Sequence, residues 1–157
     1  MVVNRQGTKT AKENDTTNTQ STNTEMKLLV PTDLPPDLEH LVQETIGSCI
    51  AVHRELGPGL LESIYPRAVA VELQARGISF ELERSIPVRY RGQVLCHQRL
   101  DVLIDSRLIL EIKSVERILA IHVAQVISYL RVTGTRVALL VNFNVPILAQ
   151  GIRRVVL

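Results

Sequence analysis

Asp101, Glu111 and Lys113 stand in the segment RLDVLIDSRLILEIKSVE, residues 99–116, with the spacing D-x9-E-x-K. Two carboxylates brought side by side repel unless a cation lies between them. A hard divalent ion such as Mg²⁺ suits that place, because it takes oxygen ligands and keeps several of its waters. Arg99 and Lys113 set the opposite condition: two cations that need an anion, which a phosphate supplies. Together the four residues have the composition of half a phosphodiester-cleaving site. The lysine is singled out by composition. From Asp37 onward the chain has fourteen basic residues, thirteen of them Arg and one Lys, at Lys113. Lysine is a compact charge whose pKa moves readily, whereas arginine is a planar fork that stays protonated. A solvated sheet face carries the same residue types in surface pairs worth about 0–1 kcal/mol, so the chemistry depends on how the backbone arranges them.

That arrangement is a question of strands. Ser79–Tyr90 alternates in polarity and reads as a strand, Arg91-Gly92 as a turn, Gln93–Ile104 as a second strand and Arg107–Lys113 as a third. Side chains of one parity share a face. In the second strand the even positions Val94, Cys96, Gln98, Leu100, Val102 and Ile104 are nearly all apolar, and the odd set holds His97, Arg99 and Asp101. In the third strand Leu108, Leu110 and Ile112 are even, while Glu111 and Lys113 are odd. A connecting loop with an odd number of residues lets the apolar sides coincide, and a one-residue slip would invert every side chain. This register sets Asp101 opposite Glu111 and Arg99 opposite Lys113.

The surrounding elements follow from periodicity. Leu38, Leu41, Val42, Ile46, Cys49 and Ile50 recur at helical spacing behind Asp37 as N-cap. Gly57-Pro58-Gly59 ends that helix as a turn, since it lacks the strand-before, helix-after context of a nucleotide loop. A second helix spans about Leu61–Arg76 and closes at Gly77. A third covers about Leu119–Val132, followed by a β-rich strand at Arg136–Phe143, apolar enough for a central position, and an edge strand in Ile152–Leu157. Residues 1–36 form a Thr/Asn-rich leader and a Pro-rich joint, with seven Thr and four Asn among the first 25. So polar a stretch cannot offset its ordering entropy, and disorder is expected. Residues 37–157 form one α/β domain with a mixed sheet flanked by helices.

Composition narrows the function. Eighteen Lys+Arg against sixteen Asp+Glu leave +2, too little to argue for nucleic acid by itself, and 3% aromatic residues without Trp exclude a base-stacking platform. Two cysteines, Cys49 and Cys96, read as small core residues of a chain in a reducing cytoplasm. No secretory signal and no membrane-spanning run is visible.

The elements G59-L-L-E62-S-I-Y65, D101, E111-I-K113 and Q125-V-I-S-Y129, in that order on helix, strand, strand and helix, resemble the GxxExxY group of the PD-(D/E)xK nuclease superfamily. The resemblance covers about residues 38–157. It implies a restriction-endonuclease-like αβββαβ core, a Mg²⁺-dependent (or Mn²⁺-dependent) nuclease ancestry and a site on a bent central hairpin. Carried over, Asp101 and Glu111 are metal ligands joined by the Ile112 carbonyl. Lys113 steadies the attacking water and the developing phosphate charge. Glu62 adds a carboxylate, and Gln125 and Tyr129, one helical turn apart, orient the site or touch the nucleic-acid backbone, with Tyr65 in support. Pro66 departs from the pattern. Proline is tolerated only in a first helical turn, so either the second helix begins near Glu62 or its segment kinks.

The remaining candidates read as structural. His53 continues the apolar stripe of the first helix and His122 is a surface residue. The exception is His97, which lies about 13 Å from Asp101 at 3.3 Å per strand residue, too far to share a metal, and is read as nucleic-acid-facing or inert. Arg153 and Arg154 are a solvated end. The expected function is a metal-dependent nuclease acting on DNA. The alternative is a non-catalytic nucleic-acid- or protein-binding module on the same scaffold, and a homodimer paired through an exposed sheet edge stays open.

Overall fold

A computed structural model describes residues 33–157; the expected leader lies outside the described residues up to Thr32. Helix α1 (Pro36–Leu56) opens behind Pro35, and its buried stripe includes Leu38, Leu41, Val42, Cys49 and Val52. Asp37 is not its N-cap: no side chain caps this end, and Asp37 pairs instead with Arg107 across the fold. Helix α2 (Ile64–Ala75) starts later than expected. Pro66 therefore falls in its first turn, where a missing N–H costs nothing, and Glu62 sits in the turn ahead of the helix. Strands β1 (Phe80–Leu82), β2 (Ser85–Tyr90), β3 (Gln93–Arg99), β4 (Val102–Ile104) and β5 (Leu108–Lys113) follow. The chain then forms α3 (Ala120–Thr133), β6 (Val137–Asn142), a four-residue α4 (Leu148–Gly151) and β7 (Ile152–Val156).

The two long strands expected from alternation each break. Glu83, at φ 53°, separates β1 from β2, and Leu100-Asp101 separates β3 from β4. The breaks are matched: Glu83 donates to the Asp101 carbonyl and Leu100 to the Arg84 carbonyl, each at 2.9 Å. One half of each strand joins a mixed sheet of order β1-β4-β5-β6-β7, parallel at β5–β6, while β2 and β3 form a separate two-stranded hairpin. Strand β3 is exposed along its whole length, so Cys96 is a surface residue and not the expected core one; Cys49 is buried. Alternation persists across a bend, which is why the pattern did not reveal it.

Strands β5 and β6 carry the core. Every residue of β6 is buried, as an apolar run covered on both faces requires. On one face α3 packs Val126, Tyr129 and Leu130 against Ile109, Ala138 and Leu140, and Ile86 of β2 joins them. On the other, Tyr65 of α2 stacks on Phe143 with ring centroids 4.4 Å apart. The sheet ends on a three-residue strand at one edge and on Arg-bearing β7 at the other, both poor templates for pairing. Among the described residues no helix is long and apolar enough to cross a membrane.

Candidate functional site

The β4–β5 corner sets the register. Residues Asp105, Ser106 and Arg107 connect the strands, the first two at φ 49° and 54°, and Ile104 pairs with Leu108, Leu103 with Ile109, Val102 with Leu110. The loop is odd and even faces even, as expected. The ladder then stops, because Leu100, which would stand opposite Ile112, turns its N–H to Arg84. Asp101 takes the vacated place through its side chain: Oδ2 accepts the Ile112 N–H at 2.8 Å. Phe143 N–H donates to the Lys113 carbonyl from the β6 side. Peptide groups alternate along a strand, so the Ile112 carbonyl faces the other edge, toward Asp101.

Glu111 and Lys113 project from the same face of β5. That face is not solvated: Glu111 is only 2% exposed. Its Oε1 accepts from Lys113 Nζ at 2.6 Å, and its Oε2 is buried without a hydrogen-bond partner among the described residues. A lone buried carboxylate oxygen is costly. Burial, then the neighbouring Asp101 charge, raises the Glu111 pKa to about 7 against the pull of Lys113. Burial also raises Asp101, opposed by the Ile112 N–H and Lys113. Lys113 is held above its usual value: burial acts to lower it, but the Glu111 hydrogen bond and the surrounding carboxylates outweigh that. Burial first, and then a surplus of carboxylates over the one ammonium, make the two acids hold their protons more tightly, and the same carboxylates keep Lys113 charged. That is the imbalance a divalent cation would relieve.

Glu62 arrives from outside the sheet. Its Oε2 accepts the Ser114 N–H at 2.8 Å, and Ser114 Oγ donates to the Leu60 carbonyl at 3.1 Å. Tyr65 is fully buried; its hydroxyl donates to the Gly57 carbonyl at 2.9 Å and accepts from Leu60 N–H at 3.2 Å. Gly59, at φ 93°, completes a loop that few other residues could form. Gly59, Glu62 and Tyr65 thus lock one loop and dock it on the end of β5. A cleft of about 460 Å³ opens here, lined by Glu62, Pro66, Arg67, Glu83, Arg99 and Asp101.

Arg99 does not lie opposite Lys113. It belongs to β3, opposite Ser85, and pairs with Glu83 at 3.5 Å; the break at Leu100 moved it out of the sheet and into the cleft wall. Gln125 and Tyr129 meet on α3, Gln125 Nε2 donating to the Tyr129 hydroxyl at 2.7 Å. Burial and the charge of Glu111 raise the Tyr129 pKa, which places its ring beside the acidic pair.

Residues 39–155 match the family model of the PD-(D/E)XK nuclease superfamily. The chain belongs to that superfamily. No significant match was found among curated proteins or solved structures. On this PD-(D/E)XK scaffold two supporting positions escaped the sequence reading. Asn142 is buried at the end of β6; its Oδ1 accepts from Val115 N–H at 3.0 Å and its Nδ2 donates to the Val115 carbonyl at 2.8 Å. It clamps the segment leaving Lys113. The signal was there, a lone amide closing the apolar run VALLVN. His122 also has a role that was missed, since its Nδ1 accepts the Leu119 N–H and caps α3.

Proposed function

We propose that the chain is a metal-dependent nuclease of the GxxExxY group, hydrolysing phosphodiester bonds in DNA in a reducing cytoplasm. The observation that carries this reading is the partnerless, buried Oε2 of Glu111 beside Asp101 and Lys113. A purely structural ion pair gains nothing from such an oxygen, whereas a cation-binding carboxylate needs one. Asp101, Glu111 and the Ile112 carbonyl would hold Mg²⁺ or Mn²⁺, with the Glu62 carboxylate reaching the ion through water. Among the described residues no three His, Cys, Asp or Glu side chains gather closely enough to cage an ion. Waters would complete the shell, which suits Mg²⁺. Bound there, the ion would supply Lewis-acid charge at the scissile phosphate and acidify a water.

The chain's own residues do the rest. Lys113 holds a positive charge at the phosphate, fixed in place by Glu111, and meets the charge that develops in the transition state. The Ile112 N–H fixes one oxygen of Asp101 and leaves the other free. Ser114 and Asn142 hold the strand end, so Glu62 and Lys113 approach along fixed backbone. Tyr129, held by the Gln125 amide, would orient the site or touch the nucleic-acid backbone.

The test is cleavage of plasmid and linear DNA in Mg²⁺ or Mn²⁺ by the wild type and by Lys113→Ala. Loss of cleavage with retained fold and DNA binding supports the assignment; metal-dependent cleavage by a clean Lys113→Ala preparation rejects it. DNA binding that ignores divalent ions, with no cleavage in either protein, would favour the non-catalytic module.

A further inference from the structure

Apart from Arg99 in the cleft wall, the β2–β3 hairpin takes no part in the site just described, yet its residues are unevenly chosen. From Ser85 to Arg99 the sequence SIPVRYRGQVLCHQR contains three Arg and no acidic residue. It stands apart from the main sheet as its own two-stranded ribbon. Ile86 at its base is buried against α3, while Arg89, Tyr90 and all of β3 are exposed. The register shows how the charges are arranged. Ser85 pairs with Arg99, Pro87 with His97 and, past a bulge, Arg89 with Val94. Cross-strand partners and alternate residues share a face, so Arg99, His97 and Arg89 line the face opposite Ile86. Residues 85–89 span about 13 Å at 3.3 Å each. At the inner end Arg99 lines the cleft that holds Glu62 and Asp101. At the outer end Arg91 leans over the Tyr90 ring, 5.6 Å from its centroid. The bulge between Val88 and Arg89 strengthens the ribbon's twist.

We propose that this hairpin is the arm by which the chain holds B-form duplex DNA, seated in the major groove with Arg89 and Arg91 at phosphates beyond the scissile bond and Arg99 at the cleft. The inference rests on the nuclease reading for its orientation, but its contacts are independent of any metal. The occupant follows from size and charge. A two-stranded ribbon fits the roughly 12 Å major groove of B-DNA, whereas the deep, narrow major groove of A-form RNA excludes it. A single strand would call for stacking rings, and Tyr90 is the hairpin's only aromatic residue.

The experiment is fluorescence anisotropy in EDTA, where no cleavage occurs, with full-length wild type and R89A/R91A. Probes are a labelled DNA duplex, the same sequence as duplex RNA, and one DNA strand, over a series of salt concentrations. Both side chains are solvent-exposed tips, and an unchanged melting temperature verifies the fold. The expected result is that duplex DNA binds best. The double variant should bind it about tenfold or more weakly, with a salt slope reduced by about 2, since each phosphate contact contributes about 0.9. An unchanged slope and affinity, equal binding of duplex RNA, stronger binding of the single strand, or no binding of duplex DNA by the wild type would each overturn the proposal. Failure here is distinguishable from failure of the nuclease reading, which is read separately from Lys113→Ala cleavage and divalent-ion binding.

Discussion

Strand β4, which meets β5 at the corner, and the hairpin of β2 and β3 come from the same pair of strands, folded apart at Glu83 and Leu100. Their chemistry is opposite. The corner is buried and tied from every side: Asp101 to Ile112, Glu111 to Lys113, Glu62 to Ser114, Asn142 to Val115. The hairpin is exposed, acid-free, and anchored by Ile86 at its base. Groups that must act on a bond within tenths of an ångström belong on a rigid element. Groups that grip a long polyanion need charge and reach instead. One bend in two strands separates these demands.

Mutations should separate them too. The largest effect belongs to the corner. Lys113→Ala should lower cleavage by about 10³-fold or more while leaving duplex affinity within a few-fold, read from single-turnover assays beside anisotropy. A comparable loss of affinity would mean that the two regions are not distinct.

Next comes the pH response of the metal-free protein. The Glu111 pKa is raised from 4.5 to about 7 in the fold. A raised folded pKa favours the native state fully below the unfolded value, and that stability is lost as pH rises through about 7. The melting temperature in EDTA should therefore fall from about pH 5 to pH 8. The total is on the order of 3 kcal/mol, at about 1.4 kcal/mol per pKa unit. Glu111→Gln should flatten the curve; an unchanged slope in that variant would locate the titration elsewhere.

Asn142→Ala should cost about 2–3 kcal/mol in denaturant unfolding, because it strands the Val115 N–H and carbonyl, and should also loosen Lys113 and reduce cleavage. Smallest of all, Arg91→Ala should change stability by less than about 0.5 kcal/mol while weakening duplex binding. If the hairpin tip proved the costlier of the two to stability, it would belong to the folded core and not to a separate arm.

Much of this layout was legible beforehand. The odd loop and the even-numbered apolar residues shared by β4 and β5 determine the pairing of Asp101 toward Glu111, because a one-residue slip inverts the apolar face. The run VALLVNF is apolar on both parities, so its central place also followed. The break at Leu100 was hidden, since alternation runs unbroken through it, and with it went the position of Arg99 and the exposure of Cys96. Asn142 showed only as a lone amide closing an apolar run; the Val115 backbone that it clamps lies 27 residues away, which no local pattern encodes. Helix α4 spans only four residues, too few to show a period. The burial of Glu111 was also missed, because α3 covers that face from a distant part of the chain.

The most direct test is calorimetric titration of the metal-free wild type and of Asp101→Asn with Mn²⁺ at about pH 6 and pH 8. One ion should bind per chain, more tightly at the higher pH as Glu111 gives up its proton, and about tenfold or more weakly in Asp101→Asn. Absence of binding, or equal binding by the variant, contradicts a cation held between Asp101 and Glu111.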